Sequence, residues 1–311
     1  MRRVLAILGA VAMITAAVLI RHHLDGNDAK GHENADHQVV IVCDDDLRSY
    51  CDAFGDEVKV VYEKAADTAQ ELKDGKSDEQ PDGWVTTSAW LEVTNTAEGG
   101  SPTGEIEALA STPVAASAAE GSRGDAVVAL CKGQRLWDCL GQHAGQTWAS
   151  LAQPTLSGTL DVGVTDADTA LGLPVLASIG GGTFGHLDYA LNDFGGDFPS
   201  RIAALKQPSK GEDADPLTTM ITQTGKYAAA SSTEAQQGTI ARPVQDLALT
   251  PTVTATVVLV QIPGGDDLPS GDPVRKALVA DGWSAAHGDK VDATLKDGVM
   301  SALHDVWTEA R

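Results

Sequence analysis

From Val4 to Ile20 the chain runs for seventeen residues without a charge, with Arg2 and Arg3 before it and Arg21-His22-His23 after it. Basic residues stay on the cytoplasmic side while an apolar run enters the bilayer, so this pattern predicts an export signal. Its length sits at the short edge for spanning a hydrocarbon core and at the long end for a cleavable signal. Ala10-Val11-Ala12 has the small-residue spacing of a cleavage site but lies inside the run, and no cysteine follows for lipid attachment. The expectation is an uncleaved transmembrane anchor over residues 1–21 that holds the rest at the extracellular face of the cell membrane. A cleaved signal peptide, and hence a secreted chain, is the alternative. Residues 22–38 are polar, with His22, His23, His32 and His37 among Gly, Asn and Lys. They read as a linker rather than a metal site.

After residue 38 the hydrophobic pattern alternates between strand-like runs and helical stretches. Val39-Val40-Ile41-Val42-Cys43 is a continuous β-branched run, the signature of a buried parallel strand, and it ends in Asp44-Asp45-Asp46 before a short helix reaching Phe54. Residues 58–62 and 82–86 give two more strands, and 65–73 a helix between them. Residues 95–104 form a loop and 112–117 an extended segment. Residues 125–130 and 159–164 read as strands, with a short helix starting over 147–152. A helix from Leu171 to about Ile179 ends in the Gly180–Gly185 turn. A polar loop over 206–216, a helix over 218–225, a strand over 227–230 and a helix from Glu234 lead to the β-patterned run 253–262. Helices over 273–281 and 293–310 close the chain. Strands alternating with helices predict an α/β layer with a parallel sheet.

Composition refines this picture. The roughly 270 residues beyond the linker suffice for one large or two medium domains with real cores. A formal net charge of −22 excludes nucleic acid and anionic lipid as partners, and describes a solvated acidic surface. The four cysteines fit an oxidising compartment and fall as two equally spaced pairs, Cys43 with Cys51 and Cys131 with Cys139. Three connectivities are open. Two local bridges are the expectation, each worth about 2–3 kcal/mol by chain entropy. Neither spacing suits zinc.

Several stretches then resemble one family. They are Val39–Cys43 with its polar loop, Asp82-Gly83-Trp84-Val85-Thr86-Thr87-Ser88-Ala89-Trp90, Ser111-Thr112-Pro113-Val114-Ala115, Trp148-Ala149-Ser150-Leu151, the run Gly158 to Leu173, Val253–Val260, and Asp281-Gly282-Trp283. In this order they resemble the extracellular solute-binding proteins of the type 2 periplasmic-binding fold, the group that includes molybdate and sulfate binders. The resemblance implies a two-lobed α/β fold, each lobe a mostly parallel sheet flanked by helices. Lobe I would comprise 39–113 and 236–311, and lobe II 114–235. It also implies capture of a small polar solute in an interlobe cleft, with a membrane transporter as partner, no cofactor and no chemistry performed. Asp44-Asp45-Asp46 departs from the small hydroxyl that oxyanion binders present in this loop. The alternative is a cell-surface protein-interaction module on the same fold with a degenerate cleft.

In such a fold the loops at strand C-termini open helices, whose free N–H groups and positive dipole end receive polar ligands. The candidate ligand-binding residues are therefore Asp44, Asp45, Asp46, Thr86, Thr87, Ser88, Thr165, Asp168, Thr169, Ser231 and Ser232. Helix capping is the competing role for each. Trp84 and Trp90 could stack on a ligand, Trp90 being the better placed, against burial in the core. The Gly180–Gly185 stretch lacks the Gly-Lys-Ser/Thr ending of a phosphate loop and reads as a helix end and turn. His143, His186, His287 and His304 show no partner pattern. Neither a Gly-x-Ser-x-Gly elbow nor a His-Glu-x-x-His pair is present, so no hydrolase is indicated.

Overall fold

The computed structural model describes residues 38–75, 80–94, 104–286 and 298–310. The anchor over 1–21, the linker histidines, the loop 95–103, His287 and the predicted start of the last helix lie outside the described residues. Among the described residues no helix is long and apolar enough to cross a membrane.

Val39–Arg311 forms one compact unit. Its first strand, β1 (Val40–Asp44), lies between β2 (Lys59–Glu63) and β3 (Gly83–Thr87), parallel to both. Ile41, Val42 and Cys43 are all buried, as expected for a β-branched run covered on both faces. A short helix α1 (Arg48–Cys51) follows β1, α2 (Ala65–Asp74) follows β2, and α3 (Ser88–Thr94) follows β3. Antiparallel to β3 runs β8 (Thr254–Gln261), and antiparallel to β8 runs β4 (Ile106–Ala118).

The thirteen-residue β4 organises the molecule. Ile106 to Pro113 pair with β8, and Val114 to Ala118 pair with β6 (Ala229–Thr233). The partner changes at Pro113, which has no N–H to give to either ladder. Beyond β6 lies the two-residue β5 (Val162–Gly163), parallel to it, while β7 (Gln245–Leu247) and β9 (Ser284–Ala285) add to β4. Among the described residues the sheet order is β2-β1-β3-β8-β4-β6-β5. The α/β layer is as expected, but the sheet is mixed rather than mostly parallel. Parallel pairs occur at β1–β2, β1–β3 and β5–β6, and every partner of β4 is antiparallel to it.

Other departures have local causes. Residues 125–130 belong to a helix, α4 (Ser122–Leu130), not a strand. It begins after Gly121 at φ 92°, and its buried positions Gly124 and Val127, with Cys131 just past its end, recur at helical spacing. The strand expected over 159–164 shrinks to β5. A side chain at Gly163 would strike Tyr227 and Pro216, so packing sets this segment more than pairing does. Two helices unread in the sequence, α5 (Leu136–His143) and α7 (Phe198–Lys206), pack around α6 (Gly172–Phe184) or each other. The glycines at 180–182 lie inside α6, which ends only at Gly185. They let Tyr189 and Trp137 approach the helix, where a Cβ on Gly180 or Gly182 would stand 2.7 or 2.8 Å from those rings. The remaining helices are α8 (Pro216–Thr222), α9 (Glu234–Thr239), α10 (Asp272–Ala280) and α11 (Val299–Glu309).

Both bridges are local: Cys43–Cys51 ties β1 to α1, and Cys131–Cys139 ties the end of α4 to α5.

Candidate functional site

The three aspartates that close β1 have three different fates. Asp44 is fully buried, accepting from Trp84 Nε1 at 2.9 Å and Thr86 Oγ1 at 2.6 Å, both on the adjacent β3. Burial, reinforced by the charge of Asp46, raises its pKa well above the usual carboxylate range against the pull of those two hydrogen bonds. Asp45 is exposed and pairs with Arg48 one turn on. Asp46 is half-buried and reaches across to the turn preceding α6, where its two oxygens accept from Ala170 N at 3.1 Å and Leu171 N at 3.0 Å. A carboxylate here meets the positive end of a thirteen-residue helix. Its pKa is nevertheless raised, because burial outweighs the two backbone donors.

The same turn, residues 165–171, is held from several directions. Thr87 Oγ1 donates to Ala170 O at 2.6 Å, and Trp90 Nε1 donates to Thr169 O at 2.9 Å. Lys64 Nζ binds Asp166 Oδ2 at 2.7 Å, and Ala66 N donates to Asp168 O at 3.1 Å. His304 Nε2 lies 2.9 Å from Asp168 Oδ1, its ring edge-on to Trp90 with centroids 5.4 Å apart. The His304 hydrogen bond lowers the pKa of Asp168. The strand ends of β1, β2 and β3 thus meet the turn after β5 along one polar seam. Helix α11 straddles it, packing against α3 on one side and α6 and α7 on the other.

Within the second half, Thr165 N and Oγ1 both bond Ser231 Oγ, at 2.9 and 2.8 Å. Thr169 Oγ1 donates to Asp166 O at 2.8 Å, closing the turn on itself. Of the eleven predicted residues, Asp46, Thr87, Asp168 and Thr169 meet across the seam. Asp44 with Thr86, and Thr165 with Ser231, pair inside their own halves, and Asp45 belongs to the surface. The last two are serines: Ser232 Oγ is buried in β6 with no hydrogen-bond partner among the described residues, and Ser88 is half-buried at the start of α3.

Lys64 and Asp166 were not singled out from the sequence. His304, read there as a partnerless histidine, in fact links α11 to the turn. Nothing local marks it, since its partner is 136 residues away. Trp84 and Trp90 are both core residues; each donates its ring N–H, and the Trp90 ring also packs against His304. Among the described residues no cluster of His, Cys, Asp and Glu could hold a metal ion.

No known protein-family model matches the chain, and no curated protein matches it significantly. Solved structures do resemble it at low identity. An ABC transporter structure from Clostridium perfringens is 13% identical over 88% of this chain and 99% of that one, with a TM-score of 0.45. The ferric binding protein from Campylobacter jejuni is 11% identical over 88% and 96%, with a TM-score of 0.48. The periplasmic binding protein AfuA from Actinobacillus pleuropneumoniae, with fructose-6-phosphate bound, is 10% identical over 87% and 96%, with a TM-score of 0.46. At these values no ligand and no site residue is carried across.

Proposed function

We propose that the chain is an exported solute-binding protein that captures a small polar ligand between two lobes, residues 39–113 with 236–311 and residues 114–235, and performs no chemistry. The observation that carries this reading is the convergence of four strand-end turns, 44–46, 64–66, 86–88 and 165–171, on one polar seam between the two halves of the sheet. The change of pairing partner along β4 at Pro113 supports the division into lobes. Each cross-seam hydrogen bond contributes on the order of 1 kcal/mol net. Several together are comparable with the roughly 8 kcal/mol of micromolar binding, so a ligand that replaces them can shift the lobes between closed and open. The N-terminal apolar run would hold the protein at the extracellular face of the membrane, and a transporter would take the solute onward.

A second reading, a cell-surface protein-interaction module, is favoured by one observation: in this conformation the turn groups already satisfy one another across the seam. A thermal-shift screen of the exported part against oxyanions, amino acids, polyamines, sugars and divalent cations decides between the two. The solute-binding reading expects saturable stabilisation by one class that weakens in Ser88→Ala, in the seam turn 86–88, or in Ser232→Ala, whose buried hydroxyl has no partner among the described residues. An intact fold that none of these classes stabilises sinks it in favour of the interaction module.

A further inference from the structure

Six arginines fall among the described residues, and four of them pair with carboxylates: Arg48 with Asp45, Arg135 and Arg201 with Asp138, and Arg275 with Glu107 and Asp272. The other two, Arg123 and Arg242, pair with no carboxylate among the described residues, although the chain has 44 acidic residues to offer. Both line the same cavity, of about 500 Å³, on the half of the molecule built on β6. In so acidic a protein, two uncompensated guanidinium groups facing one hollow require an explanation.

The cavity is already organised around them. Arg123 leads the first turn of α4 and donates to Gly225 O at 2.6 Å and Ser157 O at 3.0 Å, while Arg242 donates to Ile221 O at 3.0 Å. These carbonyl partners fix both planes without neutralising them, and further N–H donors remain on each group. The opposite wall is apolar. Met220 and Tyr227 belong to a small buried cluster separate from the main core, and Ile221 and Val244 pack against it. The Tyr227 hydroxyl is engaged by Asp213 at 2.9 Å, so the ring contributes its hydrocarbon. Glu120 also lines the cavity and is exposed.

We propose that this cavity is a binding site for a small organic acid, its carboxylate clamped by Arg123 and Arg242 and its apolar body laid against Met220, Ile221 and Tyr227. A planar guanidinium matches a carboxylate with two parallel donors, and charge-assisted bonds of this kind are the strong ones. None of the residues of the polar seam lines this cavity, so the proposal stands or falls independently of the solute-binding reading.

Isothermal titration of the exported chain with hexanoate, neutral hexanamide and inorganic phosphate tests it. Hexanoate binds, and hexanamide and phosphate bind at least about tenfold more weakly, the loss expected when one charged hydrogen bond goes unmade. Arg242→Gln costs hexanoate a similar factor, and Arg123→Gln with Arg242→Gln together make hexanoate no better than hexanamide. Arg123 also ties two loops, so Arg242→Glu, at an exposed position, provides a charge reversal that leaves those ties intact and abolishes hexanoate binding. Equal binding of acid and amide overturns the proposal, as does hexanoate affinity unchanged in Arg242→Glu. Phosphate binding as tightly as hexanoate overturns the role given to the apolar wall.

Discussion

Asp44 and Asp46 stand two residues apart and act on different parts of the molecule. Asp44, the last residue of β1, is sealed against β3, and its folded-state pKa is raised by burial. A carboxyl with a raised pKa contributes its full share to stability below its unfolded value of about 3.9, and that share is lost as pH rises towards the folded value. Asp44→Asn removes this dependence while keeping an acceptor for Trp84 Nε1. The Tm of the variant relative to the parent is therefore expected to rise with pH above about 4, as followed by circular dichroism melts. A difference between the two that stays constant with pH would show that Asp44 is not the titrating group. The acidic triplet was legible as the end of a strand and the start of a turn. The assignment of each carboxylate was not, because the amide that receives Asp46 is 124 residues away.

At the level of elements, the turn before α6 has no spare room. A Cβ on Gly172 would lie 2.1 Å from Asp166 O and 2.5 Å from Ala167 Cα, backbone atoms that cannot rotate aside. Gly172→Ala is expected to cost about 1–3 kcal/mol in urea denaturation, the usual penalty of overpacking. Asp46→Ala removes the carboxylate at the end of α6 without disturbing that turn's own backbone. Its Tm falls, and added formate restores part of the loss in the variant and not in the parent, against a matched chloride control. Equal response of both proteins to formate would show that Ala170 and Leu171 do not form the receiving site. Strands β1, β3 and β8 were readable because a β-branched run has few other uses. Helix α4 was misread for a complementary reason: a short apolar run such as Ala126 to Leu130 suits either element, and only packing decides. Helices α5 and α7 escaped notice because their polar positions break any simple apolar run.

For the whole molecule the acidic surface sets the response to salt. A net charge of −22 makes self-repulsion the leading long-range term, and the Debye length shrinks to about 10 Å at 0.1 M. Sodium chloride is expected to raise the Tm despite weakening exposed pairs such as Arg48–Asp45, whose own worth is at most about 1 kcal/mol. A Tm that falls steadily with salt would mean that paired charges outweigh the excess. The α/β class was visible in the alternation of elements. The mixed direction of the sheet was not, because β4 runs antiparallel to each of its four partners only through the way the chain returns, and hydrophobic spacing within a strand does not encode its direction.

That same long strand has a mechanical consequence. Both disulfides close within their own neighbourhoods, so no covalent tie restrains one end of β4 from twisting relative to the other. A bulge between Ala108 and Ala110 interrupts the ladder with β8, and the proline at 113 stands where the ladders change hands. Torsion about this axle would swing the turn at 165–171 away from Asp46 as a lever arm, with each ladder carried along whole.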